Sequence, residues 1–206
     1  MSRARERQVA AVRQAASVLL AYPDRVLLDR LPVVTGALAA LPPEDGGSLR
    51  ELARQLGSAT LEQLQQDYVD TFDLRARCCL YLTWWTHGDT RERGKALAGF
   101  KQIYRAAGLI PPADELPDHL CVVLEFAAVG DARAGGTLLA QHRAALELLH
   151  DALLRRRSPY ASAVEAVVAT LPPAGADVLE TVRRIARTGP PREQVGLEPY
   201  PAGGAR

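Results

Sequence analysis

Apolar residues recur every three to four positions along most of this chain, the spacing that gathers them on one face of an α-helix. Val9, Val12, Ala16, Leu19 and Leu20 form the first stripe, and Tyr22-Pro23 ends it because proline disfavours a helical residue before it. Asp24 opens the next, which carries Val26, Leu27, Leu31, Val34, Leu38 and Leu41 with Pro32 as a candidate kink. Pro42-Pro43 and Gly46-Gly47 predict a loop. Two capping boxes follow. Ser48-x-x-Glu51 opens a helix with Leu49, Leu52 and Leu56 inside and Gly57 at its end, and Thr60-x-x-Gln63 opens one carrying Leu61, Leu64, Tyr68 and Phe72.

Residues 74–88 include a β-branched and aromatic run, Leu80 to Thr86, that neither alternates nor has a strand to pair with, so it reads as loop with a short helix. Asp89 then caps a helix with Leu97, Phe100, Tyr104 and Ala107 inward and Gly108 at its end, and Pro111-Pro112 makes the connection. Pro117 or Asp118 starts a helix with Leu120, Val123, Leu124 and Ala127, and Gly135-Gly136 separates it from a long one running from Leu138 through His142 to Leu153. Ser158-Pro159 caps another (Tyr160, Val164, Val167, Val168, Leu171), and a last helix holds Val178, Leu179, Val182 and Ile185 before Thr188-Gly189-Pro190-Pro191. The pattern predicts an all-α fold, a single-domain compact bundle of about eight or nine helices over residues 1–188, with a flexible tail over 189–206.

At 206 residues and 48% hydrophobic content the chain can bury one substantial core. Its 25 Lys and Arg nearly cancel its 24 Asp and Glu, so no global field draws it to nucleic acid or an acidic membrane. Arg91, Arg93, Lys95, Lys101 and Arg105 spread around their helix as a solvated face. Apolar runs stop far short of the ~20 residues of a bilayer-spanning helix, and the basic start, Met1 to Arg7, lacks the apolar stretch of a signal peptide. A cytoplasmic protein without stable membrane insertion is the expectation. Cys78, Cys79 and Cys121 cannot pair completely, and the adjacent pair lacks a metal-binding spacer, so they read as ordinary thiols.

The sequence carries no catalytic signature. Glu147-x-x-His150 is half of a di-iron motif without a second copy, His142 lies on an apolar stripe, and no phosphate-cradling or nucleophile-elbow motif occurs. No catalytic residue, metal or cofactor is predicted. Aromatic, acidic and His residues instead concentrate between Tyr68 and Phe126, the chemistry with which a helical protein grips a short amphipathic peptide. The candidate peptide-binding residues are Tyr68, Phe72, Asp73, Trp84, Trp85, His87, Asp118, His119 and Glu125. Tyr68 and Phe72 share a face that could serve core or groove, and Asp118 has a competing role as a helix cap. Adjacent tryptophans cannot point the same way, so one of Trp84 and Trp85 should face a groove or solvent. Two other readings stand beside this one: a metal-dependent enzyme using His87, Asp118, His119 and Glu125, and a generic helical scaffold.

Several segments also carry a resemblance: Tyr68-Val-Asp-Thr-Phe-Asp-Leu-Arg, Cys79-Leu-Tyr-Leu-Thr-Trp-Trp-Thr-His-Gly-Asp-Thr-Arg, Phe100-Lys-Gln-Ile-Tyr-Arg-Ala-Ala-Gly-Leu and Glu115-Leu-Pro-Asp-His-Leu, with Leu19-Leu-Ala-Tyr-Pro before them and Gly196-Leu-Glu-Pro after. In these the chain closely resembles the NarJ-type nitrate reductase assembly chaperones, of the all-helical redox-enzyme maturation class. The resemblance implies a cofactor-free cytoplasmic protein that binds the apo catalytic (alpha) subunit of a respiratory nitrate reductase, partly through that subunit's N-terminal leader-like peptide, until molybdenum cofactor is inserted. Proteins of molybdenum cofactor biosynthesis are further candidate partners. The Cys78-Cys79 and Trp84-Trp85 pairs depart from the family pattern, where a small residue after a single cysteine and tyrosines are expected. The combined expectation is a basic amphipathic helix seated on Tyr68, Phe72 and one tryptophan. Its charge would meet Asp73, Asp118 or Glu125, and His119 would tune affinity near neutral pH.

Overall fold

Helices occupy the predicted apolar stripes throughout the described residues. The computed structural model describes residues 2–110 and 115–192. Within them run α1 Arg3–Leu19, α2 Arg25–Ala39, α3 Pro43–Ser58, α4 Leu61–Tyr68, α5 Leu82–His87, α6 Arg91–Ala106, α7 Leu120–Glu125, α8 Ala132–Gln141, α9 Arg143–Arg155, α10 Ala161–Ala169 and α11 Ala176–Thr188. Two π-helical turns, Val69–Asp73 and Phe126–Gly130, prolong α4 and α7, and a 3₁₀ turn spans Ala76–Cys78. Among the described residues there is no strand, only isolated bridges pairing Tyr81 with His119 and Asp89 with Arg192. The all-α expectation holds. Helix number is a correction, eleven α-helices among the described residues against eight or nine.

α1 packs against α2, α3, α7 and α10, while α9 packs against α5, α10 and α11. One cluster of buried apolar residues runs from Val12 on α1 to Ile185 on α11, with Leu19, Leu124, Leu139 and Leu149 essentially sealed from solvent. Asp24 caps α2 by accepting from the Leu27 amide (2.7 Å), and Pro32 sits inside that helix without breaking it. The Thr60–Gln63 capping box forms with both of its hydrogen bonds. No described helix is long and apolar enough to cross a membrane.

Other predicted boundaries move, for physical reasons. Pro43 takes the first position of α3, where its missing N–H costs nothing, and Glu44 and Asp45 favour the helix N-terminus. The helix therefore runs through Gly46-Gly47, Ser48 is interior and caps nothing, and Gly57 lies before the end. Gly46 is buried because α2 passes close, where a Cβ would stand 3.1 Å from the Leu38 carbonyl oxygen. Gly135-Gly136 likewise lies inside α8. There the glycine admits the π turn, since a Cβ on Gly135 would sit 2.4 Å from the Ala127 Cα. The long helix breaks instead at His142, whose Nδ1 lies 2.9 Å from the Leu138 carbonyl oxygen and so can donate to the last turn of α8. Thr90, not Asp89, precedes α6. Tyr160 precedes α10, with Ser158 making no cap bond. Val26 and Leu179, placed in the core by pattern, are 50% and 44% exposed. The Pro111-Pro112 connection and Gly196-Leu-Glu-Pro lie outside the described residues, as does most of the predicted tail; residues 189–192 are described.

Candidate peptide-binding face

Several of the residues expected to anchor a peptide are core instead. The Tyr68 hydroxyl donates to the Leu20 carbonyl (3.2 Å), and its ring meets those of Phe72 (4.7 Å) and Tyr160 (6.1 Å). The Leu74 amide donates five residues back to Val69, so the widened turn keeps Phe72 beside Tyr68 on the inward side. Burial pushes the Tyr68 and Tyr160 phenols well above their ordinary pKa. Trp85 is buried with Nε1–H donated to the Cys79 carbonyl (3.0 Å), while Trp84 is half-buried against it, edge to face at 5.3 Å. In this arrangement Tyr68, Phe72 and Trp85 offer no surface to a groove over α4.

Asp118 is fully buried and caps a helix, but α5 rather than its own. Its Oδ2 accepts from the Thr83 amide (3.0 Å) and the Thr83 hydroxyl (2.6 Å), and its carbonyl accepts from the Leu82 amide (3.1 Å). The Leu120 amide donates back to Leu80, closing a two-way clasp between the strand-like 79–81 stretch and 117–120. Tyr104 supports it from α6 by donating to the Pro117 carbonyl (2.6 Å). His119 lies on the outer side, its ring 5.2 Å from that of Tyr81, whose hydroxyl donates to Glu115 (3.1 Å) while the Arg93 guanidinium lies 5.7 Å above the ring centre. Burial lowers the His119 pKa against the opposing pull of Glu115 and Asp118. Burial also raises the Tyr81 phenol to about 12, aided by Glu115. His87 is half-buried, with Nδ1 near the Thr86 hydroxyl (2.9 Å), and Asp73 is exposed at the end of its π turn. Among the described residues no three of His, Cys, Asp and Glu come close enough together to hold a metal ion, so His87, Asp118, His119 and Glu125 do not form one centre.

One stretch of accessible apolar surface lies over α7. Its outer edge presents Val122 and Glu125 between two hollows, for which they form the shared wall. One hollow, 270 Å³, is lined by Leu109, Ile110, Phe126 and Val129; the other, 220 Å³, is mixed, with Val18, Tyr22, Val26 and Cys121 beside Gln14, Ser17, Asp24 and Arg30. Ile110 and Val129 are 89% and 70% exposed, which leaves apolar surface uncovered beside the first hollow. Glu125 is exposed, and among the described residues its carboxylate joins no ion pair or hydrogen bond. Of the nine candidates, Glu125 alone lines these hollows. Sequence reasoning missed the apolar residues around it. The available signal was the run Leu120-Cys121-Val122-Val123-Leu124, apolar on all sides of one helix and so requiring cover on both.

The model of the family described as nitrate reductase delta subunit matches residues 38–166, well over half of the chain. The chain belongs to the nitrate reductase delta subunit family. The Bacillus subtilis (strain 168) relative named as a nitrate reductase molybdenum cofactor assembly chaperone, NarJ, is 32% identical over 164 residues, covering 76% of this chain and 86% of that protein. NarJ of Escherichia coli (strain K12) is 34% identical over 148 residues, 70% of this chain and 63% of its own. The nitrate reductase-like protein NarX of Mycobacterium tuberculosis (strain ATCC 25618 / H37Rv) is 45% identical over 161 residues, and the match spans 76% of this chain but 24% of that longer protein. A crystal structure from Archaeoglobus fulgidus, described as a redox enzyme maturation protein, superposes with a TM-score of 0.57 at 24% identity, covering 82% of this chain and 94% of its own, and shares the fold. The resemblance read from the segments between Tyr68 and Phe126 is thereby borne out.

Proposed function

We propose that this member of the delta subunit family is an assembly chaperone for a nitrate reductase. It binds the apo catalytic subunit reversibly, without bond-making chemistry, and keeps it open for molybdenum cofactor insertion before membrane attachment. The N-terminal peptide of that subunit docks as an amphipathic helix along α7. The observation that carries this docking mode is the pair of hollows, one apolar and one mixed, that share Val122 and Glu125 as their dividing wall. A helix laid across it would place apolar side chains against Val122, Val129 and Tyr22 and a basic residue against Glu125. The exposed Glu125 carboxylate has no partner of its own among the described residues and attracts a cationic side chain, so the face favours basic over neutral peptides. Asp118 and Tyr68 act indirectly, by holding the helices that frame the face.

The role is tested in cells that make the reductase but lack this chain. The catalytic subunit should accumulate with little molybdenum, measured by mass spectrometry of the purified subunit, and expression of the chain should restore the metal. Full molybdenum content without it would overturn the proposal.

A further inference from the structure

A second cavity, of 260 Å³, shares no residue with the hollows over α7 and has the opposite charge. Its apolar surfaces come from Trp85, Leu148, Ala152 and Ile185, bringing together α5, α9 and α11. Its polar lining comes from Arg75, Arg77, Arg155 and Arg156 with a single carboxylate, Asp151. Four guanidinium groups against one acid stand out in a chain whose net charge is +1.

Asp151 is already taken by Arg155 (2.6 Å), and Arg156 donates to the Asp70 carbonyl (3.3 Å). Among the described residues neither the Arg75 nor the Arg77 guanidinium donates a hydrogen bond or joins an ion pair. The positive fields of Arg75 and Arg156 reach Cys78 in the cavity lining, although burial outweighs them and leaves its thiol pKa raised.

We propose that this cavity binds a small organic anion, a ring-sized apolar body carrying a phosphate or carboxylate group. The apolar side would pack on Trp85 and Ile185, and the anionic group would take the forked donors of Arg75 and Arg77. At 260 Å³ the space lies just below the roughly 300–1,000 Å³ of drug-sized ligand sites, which suits a one-ring anion better than a helical segment. A cationic peptide is repelled here, which separates this site from the face over α7.

The chain has only two tryptophans, one of them in the cavity wall, so tryptophan fluorescence reports on occupancy. Full-length protein would be titrated with phenyl phosphate, inorganic phosphate, phenol and a penta-glutamate peptide. Phenyl phosphate should change the emission saturably, with phosphate and phenol each at least about tenfold weaker. The exposed double substitution R75Q/R77Q should weaken phenyl phosphate by about tenfold or more. A152L, which fills the cavity from α9, should weaken phenyl phosphate and leave inorganic phosphate unchanged. No saturable change, or equal affinity in R75Q/R77Q, would overturn the assignment. So would tighter binding of penta-glutamate than of phenyl phosphate, since the surface would then belong to an acidic protein segment.

Discussion

Asp118 joins two helices 35 residues apart in sequence, and its value lies in groups that no other acceptor reaches. The Asp118→Ala variant leaves the Thr83 amide and hydroxyl without their carboxylate partner in a buried setting. It should lose about 2–4 kcal/mol of stability in urea denaturation, and Asp118→Asn should lose less because an acceptor oxygen remains. Equal losses would show that charge rather than capping matters there. Gly135 makes a different demand, for space. Gly135→Ala drives a methyl group into the Ala127 backbone and should cost about 1–3 kcal/mol, read from the same denaturation curves. Asp118, a candidate peptide-binding residue with a competing role as a helix cap, is a cap in the fold; its neighbours in sequence gave no hint that the helix it caps is α5, because that depends on a contact between segments 79–83 and 117–120.

At the scale of elements, the joint between α8 and α9 is built on a histidine. His142 lies among apolar neighbours, its ring 5.0 Å from that of Phe100, and burial lowers its pKa below the ordinary 6.5, as it does for His119. The folded chain thus prefers both rings neutral, while the unfolded chain takes up protons as pH falls through about 6.5. Stability is therefore full above that pH and declines below it, by up to about 1.4 kcal/mol per pH unit for each proton taken up on unfolding. Urea midpoints at pH 7.5 and 5.5 should show the fall, and His142→Gln should reduce it; an unchanged slope in that variant would assign the acid sensitivity elsewhere. Helix interiors were legible because 3.6-residue periodicity survives any packing. Several joints were not. The Pro-Gly segment at 42–47 reads as a loop until α2 is seen to need a neighbour without a Cβ, and His142 ends a helix without the usual glycine or proline.

Across the whole molecule, a single buried cluster links α1 to α11, which predicts one cooperative unit. Tryptophan emission and far-ultraviolet circular dichroism should then give coincident urea transitions, whereas separated midpoints would divide the chain into independent parts. Family membership was readable from segment motifs, but the facing of side chains was not, since Tyr68, Phe72 and Val122 are all apolar or aromatic residues on helices and only tertiary packing decides which face inward. The proposed docking face therefore lies over α7 rather than on Tyr68, Phe72 and one tryptophan. The most direct test of that face is isothermal titration with the N-terminal peptide of the co-encoded reductase catalytic subunit, using the unmodified chain, Glu125→Lys and Val129→Asp. Saturable binding lost on scrambling the peptide and weakened by about tenfold or more in both variants is the predicted result. Binding that survives both substitutions unchanged would place the peptide elsewhere and contradict the account.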